Sequence, residues 1–159
     1  DTVIMPRMIR SYQEKRLKII GTGENKVDLT SVSNFVDAIW LAINTNEENC
    51  NTDYNITNGK PVKLWESINY MLEKLGYKKI TKKIPVFILY KIAYLMELKS
   101  KYITKDKEPI LTRYSVGILA NSVWFDISKA KNKLGYLPRQ STQEAMDEFL
   151  EWHLNTITK

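Results

Sequence analysis

The sequence predicts an α/β fold rich in helix with a few short strands, and three observations predict it. Apolar residues recur at helical spacing along most of the chain, whereas runs with strand character are brief and bounded by turn residues. With 159 residues, 43% hydrophobic and 26% charged, the chain is too apolar for disorder and suits one globular domain. A domain of this size buries roughly two-thirds of the surface its unfolded chain exposes, so it can build a core by packing alone. Its one cysteine, Cys50, excludes a disulfide within the chain and fits a reducing compartment. Together with the one histidine, His153, it is too little for a zinc or iron–sulfur site.

Ile4, Met5, Met8, Ile9 and Tyr12 share a helical face, which predicts a first helix of about four turns. Leu17 to Ile20 reads as a strand, Gly21-Thr22-Gly23-Glu24-Asn25 as a turn, and Val27 to Val32 as extended. Ser31 or Ser33 can cap the next helix, whose apolar stripe is Phe35, Val36, Ile39, Trp40 and Ile43. A polar loop from Asn44 to Thr52 leads to a short strand, Tyr54 to Thr57, closed by the turn dipeptide Asn58-Gly59. Leu64, Ile68, Met71, Leu72 and Leu75 then mark an amphipathic helix ending at Gly76.

The segment Lys78-Lys79-Ile80-Thr81-Lys82-Lys83-Ile84 is hairpin-like, and Pro85 opens an apolar helix from Val86 to Leu98. That run is too short for the roughly 20 residues that span a bilayer, and a helix packed in the core is the expectation. A polar connection, Ser100 to Lys107, precedes a helix entered by Pro109-Ile110-Leu111-Thr112-Arg113-Tyr114. Val123 to Phe125 is extended. Asp126 or Ser128 caps a helix from Lys129 to Leu134 that stops at Gly135, and Ser141-Thr142-Gln143-Glu144 is a capping box for the last helix. Asp1 is not an initiator Met, and a helical pattern follows it within two residues, so the chain reads as cut from something longer.

Net charge is +6, and its distribution is uneven: from Lys74 to Lys107 there are 10 lysines against two acids, leaving 14 basic and 16 acidic residues elsewhere. Clustered lysines can neutralise phosphates. Without an Arg-rich helix, an RNA-binding aromatic motif or a zinc finger beside them, a solvated surface is the better reading. Nucleic acid is not an expected partner, while contact with an anionic membrane stays open.

The residues give no self-contained active site. Gly21-Thr22-Gly23 lacks the third glycine that lets a helix N-terminus approach a pyrophosphate, so no cofactor-binding residue is assigned. Tyr70 and Lys74 have the Tyr-x-x-x-Lys spacing of short-chain dehydrogenases, but no phosphate loop precedes them, and they read as a chance pair on an amphipathic helix. No serine stands in a nucleophile elbow, His153 has no such partner to serve, and Glu47-Glu48 lies in a polar loop. No catalytic residue and no metal ligand is assigned.

Six runs, in order, resemble the C-terminal half of an extended short-chain dehydrogenase/reductase of the NAD-dependent epimerase/dehydratase superfamily, with a Rossmann-like parent fold. They are Asp1 to Arg7, Gly21 to Val32, Tyr54 to Val62, Pro109 to Tyr114, Phe125 to Lys131, and Leu134 to Pro138. The subgroup it resembles most is the 3β-hydroxysteroid dehydrogenase/isomerase-like proteins. The resemblance implies that residues 1–159 are a substrate-binding region and that the N-terminal dinucleotide-binding domain, with its glycine loop, catalytic Ser/Thr and Tyr-x-x-x-Lys pair, is absent from this chain. It implies NAD or NADP in the full-length parent, with no tight binding by this chain, which is not expected to transfer hydride alone.

The same resemblance implies a substrate site drawing on Met5, Lys18, Ile20, Asn25, Val27, Ser31 and Arg113. Nucleotide-sugar epimerases carry an arginine at the position of Val27 and often a histidine at that of Ser31. Loss of a bidentate phosphate partner favours an apolar hydroxy or keto substrate, sterol-like or long-chain acyl, over a nucleotide sugar. A nucleotide-sugar epimerase or dehydratase and a lysine-rich module without catalysis are the alternatives. A small-molecule substrate, a cytoplasmic location and room for a homodimer complete the expectation. Apolar side chains that would face the missing half should lie exposed or be buried in an oligomer contact.

Overall fold

The computed structural model describes residues 4–103 and 109–157, the side chains of Ile4, Met5 and Ile157 excepted. The helices are α1 (Ile4–Gln13), α2 (Val32–Ile43), α3 (Leu64–Lys74), α4 (Val86–Tyr102), α5 (Arg113–Ala120), α6 (Ser128–Leu134) and α7 (Thr142–Ile157). Four two-residue strands lie between them: β1 (Ile19–Ile20), β2 (Lys26–Val27), β3 (Val62–Lys63) and β4 (Lys83–Ile84). This is the helix-rich fold with short strands that the periodicities predict. Within it the chain divides into two compact units, one formed by residues 1–25 and 63–122, the other by 26–62 and 123–159.

In the first unit β1 and β4 pair in parallel, Ile19 beside Lys83 and Ile20 beside Ile84. Buried Ile19, Ile20, Trp65, Ile68, Leu72 and Ile80 form the core, with Met8, Tyr12, Val86 and Leu89 packed against it. The hairpin expected from Lys78 to Ile84 is not formed. Only Lys83 and Ile84 are strand, because the α3 side chain Asn69 occupies the backbone of Ile80, accepting from its N–H at 2.7 Å and donating to its carbonyl at 3.2 Å.

The core-packed reading of the apolar helix holds for one face only, where Val86 and Leu89 pack against the core. Within α4 only Ala93 is buried, while Phe87 and Leu95 are each 63% exposed and Ile88, Tyr90, Ile92 and Tyr94 are exposed too. With only Lys91 and Glu97 interrupting it, the apolar run carries a weak helical phase, and the sequence could not say which face would meet a neighbour. The neighbour is α5, which approaches so closely that a Cβ at Gly117 would stand 3.1 Å from the Tyr90 hydroxyl.

In the second unit the core is Ala38, Ile127, Ala130, Leu134 and Tyr136, with Leu41, Tyr54 and Ile56 against it. Tyr54 to Thr57 is not a strand. Two of its carbonyls are met by side chains in place of a ladder: the Thr30 hydroxyl donates to the Ile56 carbonyl at 3.1 Å and the Tyr136 hydroxyl to the Thr57 carbonyl at 2.9 Å. Gly135 ends α6 with φ +66°, a left-handed cap that a side chain would strain. The capping box at α7 forms as its sequence predicts, with Ser141 N–H donating to Glu144 and Glu144 N–H to Ser141 Oγ. The apolar stripe of α2 points outward: Val32, Phe35, Val36, Ile39, Trp40 and Ile43 are all exposed, and the helix buries Asn34 and Ala38 instead. Among the described residues no helix is long and apolar enough to cross a membrane.

Candidate functional site

Five of the residues expected to meet substrate belong to the first unit. The Met5 side chain lies outside the described residues. Lys18 is exposed on the approach to β1, and Ile20, 6% exposed, is a member of the core beside Trp65 and Ile68. Asn25 closes the glycine turn and is buried. Its carbonyl accepts from Leu64 N–H at 3.1 Å and its Nδ2 donates to the Asn121 carbonyl at 3.5 Å, while its Oδ1 has no hydrogen-bond partner. A buried acceptor left open is costly until a donor reaches it. The buried indole Nε1 of Trp65 is the other such atom found among the described residues.

Arg113 opens α5, where Thr112 and Ser115 form a reciprocal cap. Its guanidinium is turned onto α4: Nε donates to Glu97 Oε2 at 2.8 Å, its backbone N–H donates to Oε1 at 2.7 Å, and the group lies 5.1 Å from the Tyr94 ring centroid. The backbone N–H of Arg113, more than its side chain, holds the Glu97 carboxyl below its ordinary value against the opposing effect of burial. Arg113 therefore arrives already neutralised, with Glu97 and Tyr94 as partners that sequence reasoning missed.

The glycine turn is a packed connection. Gly23 has φ +83°, and a Cβ there would come within 2.7 Å of Ile19 Cγ2, so its open side is filled by the protein itself. Lys83 donates to the Thr22 carbonyl at 2.7 Å, and Lys63 pairs with Glu24 at 2.9 Å and with Glu66 at 2.8 Å. The turn runs into β2, with no helix N-terminus behind it, so these residues do not fit a dinucleotide pyrophosphate. Tyr70 and Lys74 on α3 do not form a catalytic pair either: the ammonium lies over the ring face, 5.4 Å from its centroid.

Val27 and Ser31 belong to the second unit. Val27 is half-buried and bridges Val123 in parallel, and the adjacent Asp28 Oδ2 accepts from Phe125 N–H at 2.7 Å, which fixes that strand end. Ser31 is the N-cap of α2, as one of the two serines was expected to be: its Oγ accepts from Asn34 N–H at 3.1 Å. Its side chain is thus committed to structure.

Behind it stands a hub the sequence reading passed over. Fully buried Asn34 donates through Nδ2 to Asn58 Oδ1 at 2.8 Å and to the Gln140 carbonyl at 2.7 Å, and its Oδ1 accepts from the N–H groups of Arg139 and Gln140 at 2.9 and 3.0 Å. An asparagine three residues after a capping serine is the only signal that could have marked it. A shallow cavity of about 370 Å³ opens over this hub, lined by Ser33, Asp37, Arg139 and Glu144, but the Asp37–Arg139 ion pair (2.5 Å) occupies its charge and none of the expected site residues line it. No cluster of metal-ligating side chains occurs among the described residues.

A family model described as GDP-mannose 4,6 dehydratase matches residues 2–149. The 3β-hydroxysteroid-dehydrogenase/decarboxylase isoform 1 of Arabidopsis thaliana is 36% identical over 95% of this chain and 37% of its own length. A 2-alkyl-3-oxoalkanoate reductase of Stenotrophomonas maltophilia is 29% identical over 92% of this chain and 45% of its own length. The chain thus spans less than half the length of these relatives. Among solved structures, gox2253 superposes with a TM-score of 0.64 at 19% identity, over 96% of this chain and 44% of that one. The UDP-glucuronic acid 4-epimerase of Bacillus cereus, solved in complex with NAD, gives 0.56 at 19% identity, over 92% of this chain and 38% of that one.

Proposed function

Since the chain belongs to the GDP-mannose 4,6 dehydratase family, we propose that it is the substrate-binding portion of an NAD(P)-dependent oxidoreductase acting on an apolar hydroxy or keto compound, sterol-like or long-chain acyl. The observation that carries this reading is Asn25: a buried carboxamide oxygen without a partner, in a segment expected to line the substrate. A substrate hydroxyl donated to Oδ1 satisfies it, whether it belongs to a sterol, a 3-hydroxyacyl chain or a sugar, so the preference for an apolar compound comes from the features that follow. Two further features support it. Val27 offers an aliphatic side chain where a nucleotide-sugar enzyme carries arginine, and Arg113 is already paired with Glu97. The names of the sterol and oxoalkanoate relatives point the same way.

On this reading NAD(P) is held by a part of the protein other than these residues, and the outward stripe of α2 is the surface on which that part packs. The test uses the intact protein as expressed from its gene. Sterols and long-chain 3-hydroxyacyl compounds should raise its melting temperature by mass action, and Asn25→Leu should remove the shift. A larger shift with UDP- or dTDP-sugars transfers the reading to a nucleotide-sugar enzyme, and an intact protein that binds neither NAD nor NADP ends it.

A further inference from the structure

The two buried side-chain atoms found without a protein hydrogen-bond partner among the described residues both belong to the first unit: Asn25 Oδ1, an acceptor, and Trp65 Nε1, a donor. Their residues are 5% and 3% exposed. The glycine turn and the start of α3 bring them to adjoining segments. Leu64 N–H, one residue before Trp65, donates to the Asn25 carbonyl at 3.1 Å, and a Cβ at Gly23 would stand 3.9 Å from Trp65 Cδ1, the ring atom bonded to Nε1. Asn25 Nδ2 is turned to the Asn121 carbonyl, which leaves Oδ1 as the open end of the amide. The ammonium groups of Lys63 and Lys83 beside the turn are taken, the first by Glu24 and Glu66 and the second by the Thr22 carbonyl. What remains is one acceptor and one donor, neither of them charged.

We propose that Asn25 and Trp65 together hold a single hydroxyl group. The balance of donor and acceptor selects it. A hydroxyl gives its proton to Oδ1 and accepts from the indole N–H through its oxygen, so both buried groups are satisfied at once. A ketone or an ether can only accept, which leaves Oδ1 bare, and an ammonium can only donate, which leaves the indole bare. A phosphate ester brings charge against the apolar core of Ile19, Ile20 and Ile68 that surrounds Trp65. The hydroxyl has two sources, a trapped water and an alcohol of the substrate. The second rests on the proposed function, in which Asn25 lines the substrate; the first does not. With the alcohol as source, the pair selects a hydroxylated compound over its keto counterpart, and Trp65, a core residue by its ring, reads that difference by its N–H.

The test follows the indole N–H resonances of the intact protein by NMR, the Trp65 signal being the one lost in Trp65→Phe. With water as the source, the Trp65 indole proton should show a nuclear Overhauser contact to a bound water in the ligand-free protein. With the substrate as the source, cholesterol or 3-hydroxydecanoate should move that resonance, while cholestenone or 3-oxodecanoate should leave it in place. Asn25→Leu and Trp65→Phe each strand one polar group, so each should lower the melting temperature, and the double variant should lose less than the sum of the two. An indole with neither a water contact nor a response to the hydroxy compounds overturns the proposal, as do strictly additive losses. Should the hydroxy compounds raise the melting temperature while this indole stays unmoved and without water, the pair falls and the proposed function stands. Should the water contact be present while no sterol or acyl compound shifts the melting temperature, the pair stands and the proposed function falls.

Discussion

Helices α2 and α4 both turn large apolar side chains to the outside, yet they do so in different ways. On α2 the outward stripe, from Val32 to Ile43 at steps of three and four, carries no charge, and the inward side is held by a polar hub at Asn34. On α4 the outward ridge is broken by Lys91 and Lys99, and the inward side is held by apolar packing and the Arg113–Glu97 pair. An uncharged stripe has the character of an interior surface awaiting another protein layer. A ridge with lysines at its centre keeps its charges in water. The same crude property, exposed apolar area, thus separates into two kinds of surface once the neighbouring charges are placed.

The largest effect that can break this comparison is on the hub of α2. Asn34→Ala strands the N–H groups of Arg139 and Gln140 and the Gln140 carbonyl, and should cost on the order of 3 kcal/mol in urea unfolding. A cost under about 0.5 kcal/mol, typical of a surface site, would show that the polar side of α2 is not what anchors it. Next is Trp40→Ser on the outward stripe. It should cost the 159-residue chain less than about 0.5 kcal/mol but the intact protein about 3 kcal/mol, the difference between an exposed and a buried aromatic. Equal small costs in both would remove the layer assigned to that face.

Tyr136→Phe is intermediate. Burial, and then Asp37, hold this hydroxyl above its ordinary pKa, so it stays protonated and donates to Thr57. Deleting it should cost about 1.5 kcal/mol and leave α4 and its neighbours unaltered in hydrogen exchange. The smallest effect belongs to Glu97. Because its folded-state pKa is depressed below 4.5, its contribution is complete above that value and disappears as pH falls through the folded-state value. Glu97→Gln should therefore lower the melting temperature at neutral pH and converge with the parent in acid; a constant difference from neutral to strongly acid pH would mean that Arg113 does not depend on the carboxylate.

Much of the fold was legible because helices announce themselves locally. The Ser31 cap, the capping box at Ser141 and the stop at Gly135 each use a side chain or a conformation that only a helix end requires. The strands were less legible. Ile80 is paired by the Asn69 side chain from 11 residues away, and Thr57 by Tyr136 from 79 residues away, and no window of sequence contains such pairs. Of the expected site residues, Ile20 proved to be core and Ser31 a cap, while Asn25 gained an open acceptor that its sequence position could not advertise.

By itself the sequence determined the helices, their caps, the concentration of lysine between Lys74 and Lys107, and, through six ordered runs, the family. These depend on local propensity, on composition and on the order of short motifs, all of which are properties of a string. Only the tertiary structure decided which face of each helix is covered. That outcome depends on contacts between residues far apart in the chain, which is why α2 buries an asparagine and exposes a tryptophan, and why Arg113 faces Glu97.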